Sequence, residues 1–189
     1  MTKRSITTRT GDQGTTELFS GETVSKDSPR TRAYGDIDEL VSVLGLARAT
    51  AQRQSTVSWV LAVQQALFTV AAELATSRDG MDRLADRVDD AMLARLESVR
   101  QALEDQVPLP DGFVIPGGTV AGAYLDHART IARRCERRIV GLKESGETDN
   151  AVLIVWLNRL SDTLWLLARF EEGDRTLPRS TAGADPEGE

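Results

Sequence analysis

Residues suited to binding a polyanion are concentrated near the start of this 189-residue chain. Glycines let backbone amides turn toward an anion, hydroxyls donate hydrogen bonds, and cations supply positive charge. The members of this group are Thr8, Arg9, Thr10, Gly11, Gly14, Thr16, Gly21 and Lys26. The pattern predicts a phosphate-binding arm, although a turn-rich terminus without a ligand has a similar composition. It is not a Walker loop, because the G-x-x-x-x-G-K-[ST] pattern is absent.

A second group of candidate residues is basic and lies on a predicted helix further along the chain. Its members are Arg129, Arg133, Arg134, Glu136, Arg137 and Arg138. Arg129, Arg133 and Glu136 occur at i, i+4 and i+7, so they share one stripe of that helix. Neighbouring arginines repel each other, which favours an acidic ligand. The alternative is a solvated basic face, on which Glu136 only neutralises Arg133.

Polar residues on two other predicted helices favour structural roles. In the first helix, Arg32 and Asp36 form an i, i+4 pair of the kind that is typical of a surface helix. In the fifth helix, Asp162 and Arg169 are expected to form bonds inside the protein, because buried polar groups need partners. Asn158 is open to either a structural role or contact with a ligand.

The remaining composition narrows the function classes. His127 and Cys135 are the only histidine and cysteine, and we interpret both as packing residues because a metal or Cys/His nucleophilic site needs more partners. The net charge of −6 disfavours nucleic-acid binding, which needs a surplus of basic residues. We find no signal-like segment and no apolar run near the roughly 20 residues that span a bilayer. We therefore expect a cytoplasmic protein with no membrane partner.

The elements that must position these groups are predicted to be α-helical. The helices are expected to begin at Ser28–Pro29, Thr56, near Val88, after Thr119 and near Asn150, with the first ending near Gln54 and the fifth near Glu171. The fifth helix is apolar nearly all round and should be central. We predict an all-α, five-helix bundle in one domain, residues 1–172, with an irregular arm at 1–27 and the bundle at 28–172. Residues 173–189 are predicted to be a disordered, flexible tail.

Five separated blocks together resemble the PduO-type family of ATP:cob(I)alamin adenosyltransferases. The blocks are Thr8–Gly14 with Lys26–Asp27, Ala33–Leu40, Phe113–Gly118, Ala128–Arg137 and Leu157–Asp162. They occur in the family's order, and the resemblance covers about Ile6 to Arg169. The departures from the family pattern are Val41, Asp126, Cys135, Trp156 and Trp165, and none of them removes a charge assigned to ATP.

The resemblance implies a homotrimer whose active sites are shared between neighbouring subunits. Similar proteins transfer the 5′-deoxyadenosyl group of ATP to the cobalt of cob(I)alamin and release triphosphate. Mg²⁺ would be held mainly by the ATP phosphates, and no protein ligand is assigned to it. ATP would be bound by Thr8, Arg9, Thr10, Gly11, Thr16 and Lys26 of one subunit and by Arg133, Arg134, Glu136, Arg137 and Asn158 of the next. Arg133 would be catalytic, and Asp36 would pair with Arg129 across the subunit boundary.

The same resemblance implies that Phe113, in the loop before the fourth helix, is a catalytic residue that binds cobalamin. It would lie under the corrin and displace the lower axial ligand, which makes cob(II)alamin easier to reduce to nucleophilic Co(I). A separate flavoprotein-type reductant would be needed, and a cobalamin-dependent acceptor enzyme is a further candidate partner. Two alternatives stay open, namely a non-catalytic cobalamin and ATP carrier or regulator on the same scaffold, and a helical scaffold without a ligand.

Overall fold

Five α-helices form the framework of this computed structural model, which describes residues 6–7 and 9–178. The helices are α1 (Pro29–Thr50), α2 (Gln54–Leu74), α3 (Asp90–Glu104), α4 (Val120–Glu144) and α5 (Ala151–Glu172), with a short 3-10 helix at Arg78–Arg83. The prediction of an all-α, five-helix bundle is therefore confirmed.

Side-chain caps explain where most of the helices begin. The Ser28 hydroxyl accepts a hydrogen bond from the Thr31 amide, and Pro29 occupies the first turn of α1 as predicted. The Thr119 hydroxyl likewise accepts from the Gly122 amide at the start of α4. The boundaries between the first two helices differ from the prediction. Helix α1 ends at Thr50 because the next residue is extended, and α2 begins at Gln54 without a side-chain cap.

The helices pack in a chain of neighbours, with α2 on α1, α1 on α4, α4 on α5 and α5 on α3. Helix α5 is central, as predicted, and its Trp156, Leu160 and Leu164 are buried in the core. By length and composition alone, α2 and α5 would be long and apolar enough to cross a membrane, which differs from the expectation of no such segment. The core helix of a bundle has the same composition, since its apolar side chains face neighbouring helices.

The N-terminal arm contains a short antiparallel hairpin. Strand β1 (Thr15–Glu17) pairs with β2 (Thr23–Ser25), so the part of the arm predicted to be irregular has backbone hydrogen bonds of its own. The turn between the strands rests on the end of α2, where the Phe19 amide donates to the Ala75 carbonyl oxygen at 2.8 Å. The Ser77 amide donates to the Ser20 hydroxyl at 2.9 Å. The arm is therefore attached to one end of the bundle.

The first residues of the predicted tail are also structured. Residues Gly173–Arg175 form a 3-10 helix, and β4 (Leu177–Pro178) pairs antiparallel with β3 (Val114–Ile115) in the loop before α4. The prediction of flexibility from residue 173 is thus wrong for residues 173–178, because their backbone finds partners in a loop that lies about 60 residues earlier in the chain. Residues 179–189 lie outside the described residues.

Candidate functional site

Helix α4 presents its arginines to two different environments. Arg134 and Arg138 face α1, where their Nε atoms lie 3.2 and 3.4 Å from the same Asp36 carboxylate oxygen. Arg134 also pairs with Glu39. Burial works against the charged form of Arg134, but the attraction of Asp36 and Glu39 outweighs it and raises the pKa of its guanidinium. These two arginines therefore help to join α4 to α1.

A third arginine of this helix is also paired inside the chain. The Arg129 Nε atom lies 3.1 Å from a carboxylate oxygen of Asp126, whose other oxygen accepts from the buried Arg169 at 2.6 Å. Asp126 is one of the departures from the family pattern, and here it holds two arginines together. The pair of Asp36 with Arg129 across a subunit boundary stays a prediction, since within one chain each of the two has other partners.

Arg133 and Arg137 differ from the other arginines of α4 because they are exposed and unpaired. Within residues 6–7 and 9–178, neither guanidinium forms an ion pair or a hydrogen bond with a protein group. They lie at i and i+4, one turn apart on the same face of the helix. Two unneutralised guanidiniums side by side form a bidentate site for an anion such as a polyphosphate.

Glu136 and Asn158 lie beside this pair of arginines and are joined to each other. The Asn158 side-chain amide donates to a Glu136 carboxylate oxygen at 3.1 Å, which links α5 to α4. Both side chains are half-buried, so each keeps capacity for a further hydrogen bond toward solvent. The structure therefore brings together four of the predicted ATP residues, namely Arg133, Glu136, Arg137 and Asn158. The ATP role of Arg134 stays a prediction, since its guanidinium is bound to Asp36 and Glu39.

The arm brings the other predicted ATP residues together around a glycine. A Cβ atom at Gly11 would lie 2.7 Å from the Lys26 Nζ atom, so the lysine side chain passes directly over that glycine. The Lys26 amide donates to the Gly14 carbonyl oxygen at 2.9 Å. Arg9 has a φ of 62°, in the left-handed region that residues with a Cβ rarely adopt. Thr10 is exposed and Thr16 half-buried, and Thr8 lies outside the described residues.

The two groups of candidate ATP residues are separated along the bundle. The arm contacts the end of α2 through Phe19, whereas Arg133 lies next to Arg134, level with Glu39. Glu39 is roughly ten residues, or about 15 Å, along α1 from the start of that helix, at 1.5 Å per residue. A single chain thus presents Arg9 and Lys26 of the arm at one end of the bundle, and Arg133 and Arg137 in the middle of α4.

Phe113 is a large aromatic residue that the described residues leave uncovered. Its side chain is 77% exposed although it belongs to a loop held by the pairing of β3 with β4. Gly112 and Gly117, on either side, have φ values of 129° and 119°, which only glycine adopts readily. An aromatic ring held in solvent by an ordered loop has a face available for a flat, apolar ligand.

Other chemically reactive residues do not extend the site. Burial raises the pKa of the Cys135 thiol to about 12, so it is not a nucleophile near neutral pH. His127 is exposed. Across the part of the chain that the structure describes, no group of three or more His, Cys, Asp or Glu side chains is arranged to hold a metal ion.

Glu172 is a residue near the site that sequence reasoning missed. Its carboxylate is buried and accepts a hydrogen bond from the Gly118 amide in the Phe113 loop. The only sequence signal was an acidic residue at the end of an otherwise apolar helix, which could equally have been a solvated terminus.

The amino-acid sequence matches a family model for cobalamin adenosyltransferase over residues 6–171. A corrinoid adenosyltransferase of Citrobacter freundii is 39% identical over 168 residues, which make up 88% of this chain and 94% of the relative. A corrinoid adenosyltransferase of Bacillus subtilis is 39% identical over 166 residues, 86% of this chain and 83% of the relative. The PduO protein of Salmonella typhimurium is 40% identical over 89% of this chain, which spans 50% of that relative.

Solved structures have the same fold. A phenylalanine-to-alanine variant of the PduO-type ATP:corrinoid adenosyltransferase from Lactobacillus reuteri, complexed with cobalamin and ATP, matches with a TM-score of 0.83 at 32% identity. The match covers 93% of this chain and 100% of that chain. An arginine-to-lysine variant from the same organism, complexed with ATP, matches with a TM-score of 0.78 at 33% identity, over 88% of this chain and 94% of that one. The chain belongs to the cobalamin adenosyltransferase family.

Proposed function

We propose that this protein transfers the 5′-deoxyadenosyl group of ATP to the cobalt of a corrinoid, with cob(I)alamin as the substrate class. The observation that carries the proposal is the pair Arg133 and Arg137, which are exposed and have no ion-pair partner among the described residues, while other arginines of α4 are bound to carboxylates. A pair of free guanidiniums suits the triphosphate of ATP. The relatives complexed with ATP and with cobalamin support the same two substrates.

ATP binding would use two subunits. We call the exposed face of α4 with Arg133 and Arg137 the Arg133 stripe. The arm of one subunit would meet the Arg133 stripe of a neighbour, because Arg9, Gly11 and Lys26 of the arm lie apart from that stripe within a single chain. A homotrimer satisfies this arrangement, since a closed ring repeats the same arm-to-helix contact three times. The remaining ATP residues of the proposal are Thr8, Thr10, Thr16, Arg134, Glu136, Arg137 and Asn158.

Mg²⁺ fits this site as a companion of the triphosphate. The described residues provide no ligand cluster for the ion, so the phosphate oxygens would supply most of its coordination. Magnesium would contribute neutralisation of the phosphate charge. Glu136 lies between Arg133 and Arg137 in the sequence of α4, and its bond to Asn158 holds it in place.

In the chemical step, Co(I) attacks C5′ of ATP with an electron pair, the Co–C5′ bond forms and the C5′–O bond breaks. The triphosphate leaves with the electrons of the broken bond, so negative charge grows on its bridging oxygen. Arg133 would stabilise that charge from a position set before the reaction, because α4 is fixed against α1 and α5. This makes Arg133 one of the two catalytic residues of the proposal, and Phe113 is the other.

Phe113 would act on the corrin. Its exposed ring provides an apolar surface on which the corrin face can lie, and a ring there occupies the space of the lower axial ligand of cobalt. Loss of that donor ligand makes reduction to Co(I) easier. The electron would come from a separate flavoprotein-type reductant, and a cobalamin-dependent acceptor enzyme would receive the product.

The test is anaerobic incubation of the protein with Mg-ATP and chemically reduced cob(I)alamin. The expected result is a light-sensitive alkyl-cobalt absorption spectrum together with stoichiometric triphosphate. Arg133→Ala should lower kcat by about a hundredfold or more, which is the usual effect of removing a preorganised charge-stabilising group. Cobalamin binding should be retained.

Arg95→Ala is the charge-matched control. Arg95 is an exposed arginine on α3, away from α4, so its loss changes the net charge equally without touching the site. Its kcat should equal that of the unmodified protein. ATP and cobalamin binding without any alkyl-cobalt product would refute the enzymatic proposal and support a carrier or regulator instead.

A further inference from the structure

The carboxylate of Glu172 connects three parts of the chain next to Phe113. Its Oε1 accepts from the Gly118 amide at 3.0 Å, and its Oε2 accepts from the Arg169 Nε at 2.8 Å and from the Thr176 hydroxyl at 3.2 Å. The side chain is fully buried, and a buried charge is tolerated only when it is paired and hydrogen-bonded. Glu172 thereby joins α5, the Phe113 loop and residues 173–178.

Glycines in the loop and at the start of α4 allow this close contact. A Cβ atom at Gly118 would overlap the carbonyl oxygen of Arg175 and lie 2.9 Å from its carbonyl carbon. A Cβ atom at Gly122 would lie 2.7 Å from the Cγ and Oε1 atoms of Glu172. Any larger residue at either position would push the backbone away from Glu172 and the segment that follows it. The contact is therefore a built interface within the chain.

The part of the loop that directly follows Phe113 is bound by a short antiparallel backbone ladder between β3 and β4. Val114 pairs with Pro178 and Ile115 with Leu177, immediately after Phe113. Residues 173–178, which we call the strap, therefore contact the loop on both sides of its turn. The backbone next to Phe113 has a fixed direction because it is paired, whereas the ring itself is free to meet a ligand.

We propose that Glu172 is a positioning residue for Phe113, and that the strap holds the Phe113 ring at the place where the corrin face must rest. This inference rests on the proposed function, in which Phe113 occupies the lower face of the corrin. The strap is expected to affect the corrin step and not ATP binding. Arg133 and Arg137 lie about three to four turns along α4 from Gly122, the residue of that helix next to Glu172. Loss of the strap should therefore resemble partial loss of Phe113.

The experiment compares two truncations of the full chain. Ending the chain after Gly173 removes residues 174–178 of the strap, whereas ending it after Pro178 keeps the whole strap and removes only residues 179–189. We expect the first truncation to lower kcat by about tenfold or more, since small misplacements of a positioning group have effects of that size. It should also lower the fraction of four-coordinate Co(II) corrinoid seen by electron paramagnetic resonance with ATP bound. The second truncation should change neither value.

Glu172 is tested with Glu172→Ala and Glu172→Gln. The alanine variant should show the same losses as the strap truncation, while ATP affinity measured by calorimetry stays unchanged. The glutamine variant retains an oxygen that can accept from Gly118, so it should recover most of the four-coordinate fraction. A parallel drop in ATP affinity and four-coordinate fraction in Glu172→Ala would show a general structural role and overturn the proposal.

The Phe113→Ala background separates positioning from stability. If the strap works only through Phe113, adding the strap truncation to Phe113→Ala should cause no further loss of kcat. An equal additional loss in that background would contradict the proposal. Hydrogen exchange at the Gly118 amide gives a readout without turnover, and it should become faster in Glu172→Ala. The two proposals can fail separately. If the unmodified protein forms no alkyl-cobalt product, the proposed function is refuted, but faster exchange in Glu172→Ala would still support the anchor.

Discussion

At the scale of single residues, identical side chains on α4 differ in what they can bind because their neighbours differ. Arg134 and Arg138 each have a carboxylate of α1 within ion-pair distance, so their charge is already used. Arg133 and Arg137 are the adjacent residues in the chain, but helical geometry turns them toward solvent. Only an unneutralised guanidinium offers its full charge to a phosphate.

Cys135 leads to a prediction about alkaline pH. Burial is the largest cause that raises the pKa of its thiol from about 9 to about 12, and the nearby Asp36 adds to the effect. Below pH 9 the thiol is protonated in both the folded and the unfolded chain, so its contribution to stability is constant. Between pH 9 and 12 the unfolded thiol ionises first, the unfolded state binds fewer protons, and stability falls as pH rises. The slope is at most about 1.4 kcal/mol per pH unit.

Cys135→Ala isolates that effect, because lysines, tyrosines and arginines titrate in both proteins. Urea unfolding should show that the stability difference between the two proteins shifts in favour of Cys135→Ala as the pH rises from 8 to 11. A difference that is independent of pH would mean that the folded thiol ionises normally. Thiol reagents should also leave Cys135 unmodified in the folded protein at pH 8, because the side chain is buried.

At the scale of elements, the start of α3 depends on one capping side chain. The Asp89 carboxylate accepts from the Met92 amide at 2.7 Å, while Asp90, the next residue, lies in the first turn and forms no such bond. Asp89→Ala should lower the free energy of unfolding by about 1 kcal/mol, the usual effect of losing an N-cap. In a chain of this size, thermal unfolding would shift by about 2–4 °C.

Asp90→Ala is the matched control, since it removes the same charge at nearly the same place. Its effect should be less than half that of Asp89→Ala, because it weakens only the attraction to the helix dipole. Asp89→Asn should stay close to the unmodified protein, since an asparagine oxygen caps equally well. Equal losses for the two alanine variants would show that charge, and not capping, determines the stability of α3.

Elements that depend on local signals could be predicted from the sequence, and those that depend on distant partners could not. The start of α1 was predictable from Ser28 and Pro29, and the start of α4 from Thr119, because capping involves residues only three apart. The pairing of β4 with β3 joins residues that are far apart in sequence, and neither strand has a periodic pattern of its own. The contact of Glu172 with Gly118 could not be predicted either, because these two residues are also far apart in sequence.

The candidate site likewise contains parts that could be predicted from local sequence and parts that depend on distant contacts. Gly11 and Lys26 could be linked to phosphate by composition alone, and the structure places them in contact. The residue types of α4 were equally plain, but no local rule shows which of its arginines face α1 and which remain free. That separation depends on how α1 packs against α4 and places Asp36 between Arg134 and Arg138.

At the scale of the whole molecule, the separation of the arm from the Arg133 stripe has a consequence for assembly. If each site takes its arm from one subunit and its arginines from the next, two differently damaged subunits can repair each other. Lys26→Ala damages only the arm, and Arg133→Ala damages only the stripe. A mixed trimer of the two has one boundary at which an intact arm meets an intact stripe.

Unfolding and refolding the two variants together in equal amounts should therefore restore activity that neither has alone. Random assembly into closed trimers gives about a quarter of the unmodified activity, since about three quarters of trimers are mixed and each has one intact site of three. Refolding the variants separately and then mixing them provides the control, and it should give only the sum of the two residual activities if subunits do not exchange. Active sites contained within single subunits would give that same sum after joint refolding. The recovered fraction thus tests whether the site is shared between subunits, whatever their number, because a dimer with two shared sites would also have about one intact boundary in four.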